Sequence, residues 1–458
     1  MSAAALALLL LAQAAPQQPA APRANAVPAS QDSARLTLDE ALRGALARYP
    51  TLAAARAVRD QAAAAVAEAR APLLPRLTLD ASLTRYQLPS IVYPLHSLNI
   101  TSPAELPVFD RTLTQGSASL SWTFWDFGAR SGRVRAARAS ERASDAAVDA
   151  TEAALIARVA GAYLRALTLE GTLRAQDQQL EALTAETDRV HQLLAVGRAA
   201  RVEVLRIEAT LTRARAEREA TAANLEVAER DLAQLANVPV DRARGALLSP
   251  LRLREEAPPP DRAAVLERAR AANPDLAQAR RAAEAGRAQL AAAQATRFPE
   301  LRLLGAWIDR GTAQGDFKNE WQAGVAVTYP LFTGGQRAAQ IRRADADYRA
   351  RTEQVRQAEL ALEQGVDRAL GTLREGHARL VALSTAVDQF DEVARIRRLA
   401  LQAGSGTQTD YLDAVSDLLR ARASLVEARH VEIAARIELA RVAGELTPQW
   451  LATEVVAQ

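Results

Sequence analysis

Two different spacings of apolar residues alternate along this chain. In the longest segments apolar positions recur every seven residues, as at Ile341, Tyr348 and Val355, which is typical of helices that pack as coiled coils. Proline, which breaks a helix interior at a cost of about 3 kcal/mol, is absent from 108–238 and from 331–447. These two segments therefore predict very long helices.

Within each proline-free segment one Gly-marked break stands out and predicts a turn. Gly197 interrupts the first segment, and Gly404 with Gly406 interrupts the second. The first segment is predicted to hold a long helix of about 100 Å, at 1.5 Å per residue, and a returning helix of half that length. A further helix is predicted to supply the other half by stacking end to end on the returning one. The three predicted ranges are 130–195, about 202–236 and about 263–297.

Between the helices the apolar spacing changes to two, which predicts strands with one apolar and one polar face. Four such segments of about ten residues occur, the length that crosses a bilayer when tilted. Their apolar positions are Leu77, Leu79, Ala81 and Leu83; Ala118, Leu120, Trp122 and Phe124; Leu301, Leu303, Gly305 and Trp307; and Ala323, Val325, Val327, Tyr329 and Leu331. Aromatic residues crowd one end, as in an interfacial girdle: Trp122, Phe124, Trp125, Phe127, Tyr329 and Phe332.

Four strands cannot close into a barrel by themselves, and unpaired strand edges are not tolerated in lipid. The chain is therefore predicted to oligomerise. Three chains would give twelve strands around a pore, whereas two would give eight strands around an interior filled by side chains. The trimer is favoured. The alternative is two hairpins packed on a soluble core, but the sequence contains no second apolar layer that the apolar faces of the strands could cover.

The two halves of the chain repeat one plan. Pro50 and Pro274 lie 224 residues apart, whereas Gly197 and Gly404 lie 207 apart. The difference of 17 residues (224 − 207) predicts a longer surface loop in the first half, over 87–114. The predicted organisation is a signal peptide (1–14), a Pro/Ala-rich linker (15–35), a first repeat (36–240, with a hairpin at 75–127), an equatorial linker (241–262), a second repeat (263–446, with a hairpin at 299–332) and a C-terminal tail (447–458).

Composition limits the classes of function. The 458 residues include 57 Lys and Arg against 54 Asp and Glu, finely interspersed, so no nucleic-acid partner is expected. The absence of Cys excludes disulfides, thiolate metal sites, a Cys nucleophile and a Cys-linked lipid anchor. The four histidines are scattered, so they are expected at the surface without a metal. No catalytic triad, P-loop or dinucleotide fingerprint occurs, so neither an enzyme nor a cofactor is expected.

The first residues are typical of a secretory signal peptide. Leu6–Leu11 is apolar and is followed by the small-x-small pattern Ala12-Gln13-Ala14, although the first positive charge is Arg23. Four prolines in 15–34 favour a linker. Export is therefore expected, with a mature protein that begins near Ala15 and carries no lipid.

Several motifs occur in order and, in part, twice. The chain enters its first helix with Leu-Thr-Leu-Asp-Glu-Ala-Leu at 36–42. Phe-Trp-Asp-Phe-Gly at 124–128 and Leu-Phe-Thr-Gly-Gly at 331–335 stand where strands give way to helices. Val-Gly-Arg at 196–198 and Ala-Gly at 403–404 mark the two turns. Together, from Leu36 to about Leu446, these motifs resemble those of the TolC-like outer-membrane efflux proteins.

The resemblance implies a fold and a function. It implies a homotrimer with a 12-stranded barrel in the Gram-negative outer membrane and an α-helical tunnel across the periplasm. An equatorial region would be formed by 239–260 and the terminal segments. The implied partners are outer-membrane lipid, a periplasmic adaptor and an inner-membrane transporter of the RND, MFS or ABC type, or type I secretion machinery. The implied function is a passive exit duct.

The resemblance also assigns candidate sites at the turns. Asp410 and Asp413 match the paired acids that narrow the periplasmic end in the family, and in a trimer they would form two rings of three carboxylates that attract cations. Acids that merely stabilise a helix N-terminus are the alternative. The adaptor contact is assigned to Val196, Gly197, Arg198, Gly404 and Gly406. Gly406 stands where some members have a basic latch, so the latch either differs here or is carried by Arg198 or Arg201 of the other turn. Gly197 serving only as a helix end is also open.

Two other functions remain as alternatives. A periplasmic adaptor is also built on helical hairpins, but it would contain a lipoyl-like β domain and usually one hairpin. A purely structural coiled coil would lack strands altogether. The duplicated strands with their aromatic ends argue against both.

Overall fold

The computed structural model describes residues 35–94, 107–245, 248–254, 258–315, 317–403 and 405–457. The predicted signal peptide, the linker up to residue 34, and Gly404 lie outside these residues. Within the described ranges, no helix offers a stretch that is both long and apolar enough to cross a membrane.

Helices dominate the described residues, and strands lie between some of them. In chain order the helices are α1 Leu38–Arg48, α2 Pro50–Arg70, α3 Ala129–Ala195, α4 Arg201–Ala236, α5 Arg262–Ala272, α6 Pro274–Ala295, α7 Gln336–Gln402, α8 Gln408–Ala443 and α9 Pro448–Glu454. The strands are β1 Arg76–Ile91, β2 Phe109–Trp125, β3 Leu251–Leu253, β4 Glu300–Thr312, β5 Phe317–Thr328 and β6 Val455–Ala457.

The two halves contain hairpins of equal size. The long helices α3 and α7 have 67 residues each, and the returning helices α4 and α8 have 36 each. At 1.5 Å per residue the long helices extend about 100 Å. Each begins after a glycine in the left-handed region, Gly128 (φ 92°) or Gly335 (φ 81°), where a side chain would be strained. This turn lets a strand continue directly into a helix.

The predicted single helix over 263–297 is wrong. The chain forms α5 and α6, which are separated at Asn273–Pro274. The Asn273 side chain accepts a hydrogen bond from Leu276 N (3.0 Å) and donates one to Val442 O (2.9 Å). Pro274 occupies the first helical position, where its missing N–H is not needed. Pro274, which lies inside the predicted range, therefore starts a new helix, and Pro50 does the same between α1 and α2.

The predicted stacking partner of α4 is also wrong. The C-terminal end of α4 packs closely against α1. A Cβ added to Gly44 of α1 would lie only 2.0 Å from Ala236 O of α4. The junction of α5 and α6 instead meets the end of α8, where Gly444 (φ 76°) lies against Ala272 O. Each returning helix thus abuts the short helices of its own half.

The predicted linker and tail join in the hydrophobic core that contains Tyr163. Leu251–Leu253 pairs with Val455–Ala457 as an antiparallel two-stranded sheet. The fully buried Tyr163 hydroxyl donates to Leu36 O (2.7 Å) and accepts from Ser249 N (2.8 Å). Burial raises the pKa of this phenol to about 12, with hydrogen bonds to Ser249 opposing the rise. The segment 447–458, predicted as a tail, therefore contains a helix and a strand that pack in this core.

Tight backbone contact at Gly44 leads to a stability prediction. Gly44→Ala would place a methyl group against the Ala236 carbonyl, so the backbone must move, and overpacking of this kind costs about 1–3 kcal/mol. Gly371→Ala is the matched control, because Gly371 lies within α7 and nothing lies within 4 Å of its added Cβ. We expect Gly44→Ala to lower the thermal unfolding temperature and Gly371→Ala to leave it equal or higher. Equal unfolding temperatures would contradict the packing of α1 on α4.

The four long strands form one antiparallel sheet in the order β1-β2-β4-β5. The pairing of β2 with β4 joins the two hairpins, and β1 and β5 are left at the edges. The strands have 16, 17, 13 and 12 residues rather than about ten. The loop predicted over 87–114 is likewise too long, because pairing continues through Ser90↔Asp110 and Ile91↔Phe109. Backbone hydrogen bonding carries the ladder past the point where the apolar alternation stops.

Candidate functional sites on the sheet and at the two helical turns

One face of the four-stranded sheet is apolar and exposed. Residues paired across strands share a face, and Leu77, Leu120, Gly305 and Ala323 follow one another in register. On the edge strand β1, Leu77 and Leu79 are 72% and 75% exposed. On the other edge strand, β5, Val325 and Val327 are 64% and 67% exposed. An apolar face of this size is covered by lipid or by a partner in a stable protein.

The opposite face of the sheet is mainly polar. It carries hydroxyl, amide and charged side chains from all four strands, although Leu304 and Ile308 share it. Arg310 and Glu320 form an ion pair there at 3.0 Å. The polar residues are Thr78, Asp80, Ser82, Ser117, Ser119, Ser121, Arg302, Arg310, Glu320 and Gln322. One face for lipid and one for water is the division that the alternating sequence predicts.

The predicted aromatic residues lie where the sheet meets the long helices. The Trp122 indole donates to Leu73 O at 2.9 Å. The Phe127 ring stacks on Phe298 with centroids 4.8 Å apart, and the Trp125 ring contacts Phe127 edge-on at 5.9 Å. Most of these rings are exposed in one chain, as membrane-interface residues would be. Their exposed members are Phe124, Trp125, Phe127, Tyr329 and Phe332.

Sequence reasoning missed aromatic residues at the other end of the apolar face. Trp307 on β4 pairs directly with Trp321 on β5, and their exposed fractions are 53% and 71%. Asp309 and Asn319 are the next pair on the same face, so the apolar band ends at the two tryptophans. From Leu301 to Trp307 the band is about 20 Å along the strand. Trp307 is one of the alternating apolar positions identified from the sequence, but only the pairing of β4 with β5 shows that Trp321 lies beside it.

The first strand-to-helix junction is held by a nearly buried ion pair. The Asp126 carboxylate accepts from Gly128 N (3.2 Å), Arg130 N (2.9 Å) and Arg130 Nε (2.8 Å). Burial alone would raise the pKa of Asp126, but the hydrogen bonds and charge of Arg130 outweigh it and lower the pKa. Arg130 also donates to Pro72 O at 2.6 Å. Phe127 has φ 54°, which is a left-handed conformation. At the second junction a glycine, Gly334, has the equivalent conformation with φ 58°.

The first helical turn, residues 196–206, joins α3 to α4. Gly197 has φ 74°, and Arg198 N donates to Leu193 O at 2.8 Å, so the end of α3 is closed by its own backbone. Gly197 therefore ends α3 in the left-handed conformation that helix ends commonly use. Val196 and Arg198 both project into solvent from this turn.

The second helical turn, residues 403–413, joins α7 to α8. The Thr407 hydroxyl accepts from Asp410 N at 3.1 Å and caps α8. Asp410 forms an ion pair with Arg397 of α7, with Nη1 and Oδ2 3.7 Å apart. Asp413 is exposed one turn further along α8. Sequence reasoning placed the two acids together but missed the partner of Asp410, because Arg397 lies on the opposite helix of the hairpin.

Gly406 allows the second turn to fold back closely. Its amide donates to Ala400 O at 3.0 Å. An added Cβ would lie 3.1 Å from the Ala400 Cβ, so a larger residue would have to displace the end of α7.

His430 is not a surface residue, contrary to the expectation. It lies half-buried between α8 and α3, where its Nδ1 is 2.6 Å from Thr168 Oγ1. The Thr168 hydroxyl donates its one hydrogen to Leu164 O (2.9 Å), so the imidazole Nδ1 is the donor. Burial and then the charge of Arg429 lower the pKa of His430 to about 4. A neutral imidazole therefore connects the two hairpins.

The other histidines differ in their surroundings. His377 on α7 contacts the fully buried Glu432 of α8 at 3.1 Å, and Arg436 contacts the same carboxylate at 3.2 Å. His191 is exposed, and His96 lies outside the described residues. Among the described residues, no group of three or more His, Asp and Glu is arranged to hold a metal ion.

The buried His430 predicts a pH dependence of stability. Its pKa is about 4 in the folded chain and 6.5 ordinarily, so the unfolded chain binds more protons between these values. Stability should therefore fall as the pH falls from about 6.5 towards 4, by up to about 1–3 kcal/mol per chain. His430→Asn, which keeps a donor near Nδ1, should flatten thermal unfolding temperature against pH in this window. His191→Asn is the control and should leave the slope unchanged; a slope equal in all three proteins would contradict the assignment.

The long helical hairpins, the exposed amphipathic sheet and the two turns define a class of protein, the outer-membrane channel with a helical extension. The family model described as outer membrane efflux protein matches residues 41–238 and 265–445. The chain belongs to this family. It is a family of channel proteins in the outer membrane, which places this chain there and argues against the adaptor and coiled-coil alternatives.

Relatives and solved structures agree with this assignment. The chain is 30% identical to Protein CyaE of Bordetella pertussis over 428 residues, covering 90% of this chain and 84% of that protein. It is 25% identical to the outer membrane protein TolC of Escherichia coli over 417 residues, with 87% and 80% covered. The fold is similar to the crystal structure of the outer membrane protein VceC of Vibrio cholerae, with a TM-score of 0.72, 22% identity and 89% and 96% covered.

Proposed function

We propose that three copies of the chain form a passive outer-membrane duct. Three four-stranded sheets would close into a barrel of twelve strands, with the apolar faces towards lipid and the polar faces towards the pore. The observation that carries this proposal is the sheet itself, whose edge strands β1 and β5 have no further partner among the described residues. Unpaired strand edges are not stable in a bilayer, and closure with neighbouring copies removes them.

The helices would extend this pore across the periplasm. Six hairpins from three chains, each with a 67-residue and a 36-residue helix, would surround a tunnel about 100 Å long. The equal helix lengths and the two glycine-initiated junctions support two tandem repeats, at 36–240 and 263–446. The small core around Tyr163 and the β3–β6 pair would form the equatorial region.

The turns at the far end would meet the periplasmic partners. A periplasmic adaptor and an inner-membrane transporter, or type I secretion machinery, would pass substrates into the tunnel. Val196, Gly197 and Arg198 at the first turn, and Gly406 at the second, are the adaptor contacts in this proposal. Asp410 and Asp413 would form the constriction at the tunnel mouth, with Asp410 held by Arg397 when it is not facing a cation.

A mass measurement in detergent tests this assembly. We expect a monodisperse trimer in the outer-membrane fraction, with a protein mass three times that of the mature chain, because only closure pairs both sheet edges. The same material should form ion-conducting channels in planar bilayers. A monodisperse monomer or dimer would contradict the twelve-stranded barrel, and a trimer that never conducts would contradict the duct.

A further inference from the structure

The first helical turn carries arginines that have no acidic partner within the part of the chain that the structure describes. Arg198, Arg201 and Arg206 are all exposed there and take part in no described ion pair. Higher on the same hairpin, by contrast, Arg189 is paired with Glu186 and Arg218 with Asp177, at 2.9 Å each. The positive charge of the turn is therefore not neutralised by its own hairpin.

The single acid within the turn does not change this charge balance. The Glu203 carboxylate accepts a hydrogen bond from Ala200 N at 3.3 Å, so it caps the first turn of α4. Three arginines and one glutamate leave two positive charges per chain (3 − 1 = 2). Three chains would therefore present a strongly basic ring at this level.

Exposed apolar side chains lie among these arginines. Val196, Val202 and Leu205 are 67%, 62% and 56% exposed. The combination of exposed apolar side chains and unpaired cations in one turn is typical of a protein-binding surface with complementary charge.

The second turn, which has two aspartates and no arginine over 403–413, has the opposite net charge. At the offset of 207 residues Val196 corresponds to Ala403 and Val202 to Thr409. Arg198 corresponds in the same way to Ser405, and Arg206 to Asp413. Arg397, which lies on α7 near this turn, is paired with Asp410. A partner that binds the first turn by charge therefore has no equivalent surface at the second.

We propose that the first turn is the principal docking surface of the chain, and that its partner is an acidic helical-hairpin turn. The partner would present carboxylates to Arg198, Arg201 and Arg206 around an apolar side chain that packs on Val196, Val202 and Leu205. This inference rests on the proposed duct, whose adaptor would supply the hairpin. It adds that the partner's hairpin is acidic and that it binds the first turn rather than the second. Charge complementarity of this kind sets partner choice and the association rate.

Synthetic hairpins of defined charge test this proposal. Two disulfide-stapled helical hairpins of equal length would carry either three glutamates or three arginines around a leucine at the turn. Their affinity for the full chain in detergent is measured by calorimetry at low and high salt. We expect the acidic hairpin to bind at least about tenfold more tightly at low salt, with a smaller difference at high salt because exposed charges are screened.

Charge reversal at the turn gives the decisive comparison. Arg198→Glu/Arg206→Glu should reverse the preference, so that the arginine hairpin binds more tightly. Arg213→Glu/Arg215→Glu is the matched control, because it makes the same charge change on exposed positions of α4 about 10–14 Å further from the turn. It should keep the wild-type preference.

Bilayer conductance separates this proposal from the duct itself. The wild type and the Arg213→Glu/Arg215→Glu variant should conduct alike, because this substitution lies away from the turns and leaves the barrel and the tunnel mouth unchanged. If the wild type conducts but binds the two hairpins equally, or if both variants lose the preference alike, the docking proposal is overturned and the duct stands. A wild type that does not conduct overturns the duct.

Discussion

Replacing Asp410 and Asp413 together by asparagine is expected to remove most of the block of the channel by trivalent cations. In the proposed trimer the two acids would form two close rings of three carboxylates, and such rings concentrate multivalent cations in a narrow pore. We expect half-block to need at least about tenfold more cation, equivalent to about 1.4 kcal/mol, and cation selectivity to fall. Block and reversal potentials in planar bilayers measure both effects.

The ion pair seen at the second turn refines this expectation. Arg397 lies 3.7 Å from Asp410 and partly neutralises it, whereas Asp413 is exposed and has no ion-pair partner among the described residues. Asp413→Asn alone should therefore have a larger effect than Asp410→Asn alone. Asp39→Asn/Asp60→Asn, two exposed aspartates on α1 and α2, is the control and should block and select like the wild type. If the Asp410/Asp413 double variant also does so, these acids only stabilise the start of α8.

A single charge on the apolar face of the sheet is expected to prevent stable insertion. Leu120→Arg on the central strand β2 would place a guanidinium among Leu77 and Gly305, facing lipid. Arginine near the bilayer midplane costs about 2–4 kcal/mol in a membrane barrel, and the trimer would contain three copies. We expect little or no trimer in the outer-membrane fraction, measured by fractionation and by electrophoresis without heating.

The adjacent residue provides a matched control. Ser119 precedes Leu120 in β2 and lies on the polar face, paired with Thr78 and Ala306. Ser119→Arg adds the same side chain towards water, so the trimer should assemble, with altered conductance. Equal loss of trimer in both variants would mean that strand packing rather than lipid decides the outcome. Normal assembly of Leu120→Arg would contradict the orientation of the sheet.

Much of the fold could be predicted from residue spacing. The proline-free segments, with the breaks at Gly197 and at Gly404 and Gly406, predicted the long and returning helices α3, α4, α7 and α8, because helix breakers act locally. The break at Asn273–Pro274 was missed although its signals are local, since Asn273 caps α6 through Leu276 N and Pro274 takes the first helical position. Only the contact of the Asn273 amide with Val442 O depends on the tertiary structure. The strands were predicted too short, because pairing beyond the apolar band depends on the neighbouring strand rather than on local pattern.

The candidate site was predicted only in part. Asp410 and Asp413 are neighbours on one helix, so spacing was enough to place them on one face. Arg397, Thr168 and Trp321 were missed as partners because each belongs to a different element from the residue that it meets.

The sequence by itself determined the long helices, the alternation of the strands and the opposite charges of the two turns, since each depends on the identities of residues close together in the chain. Tertiary structure alone decided the strand order β1-β2-β4-β5 and the abutment of α4 on α1. It also decided the burial that lowers the pKa of His430. These features depend on distant segments that meet, and the free energy of their burial and pairing is shared between elements that local sequence cannot connect.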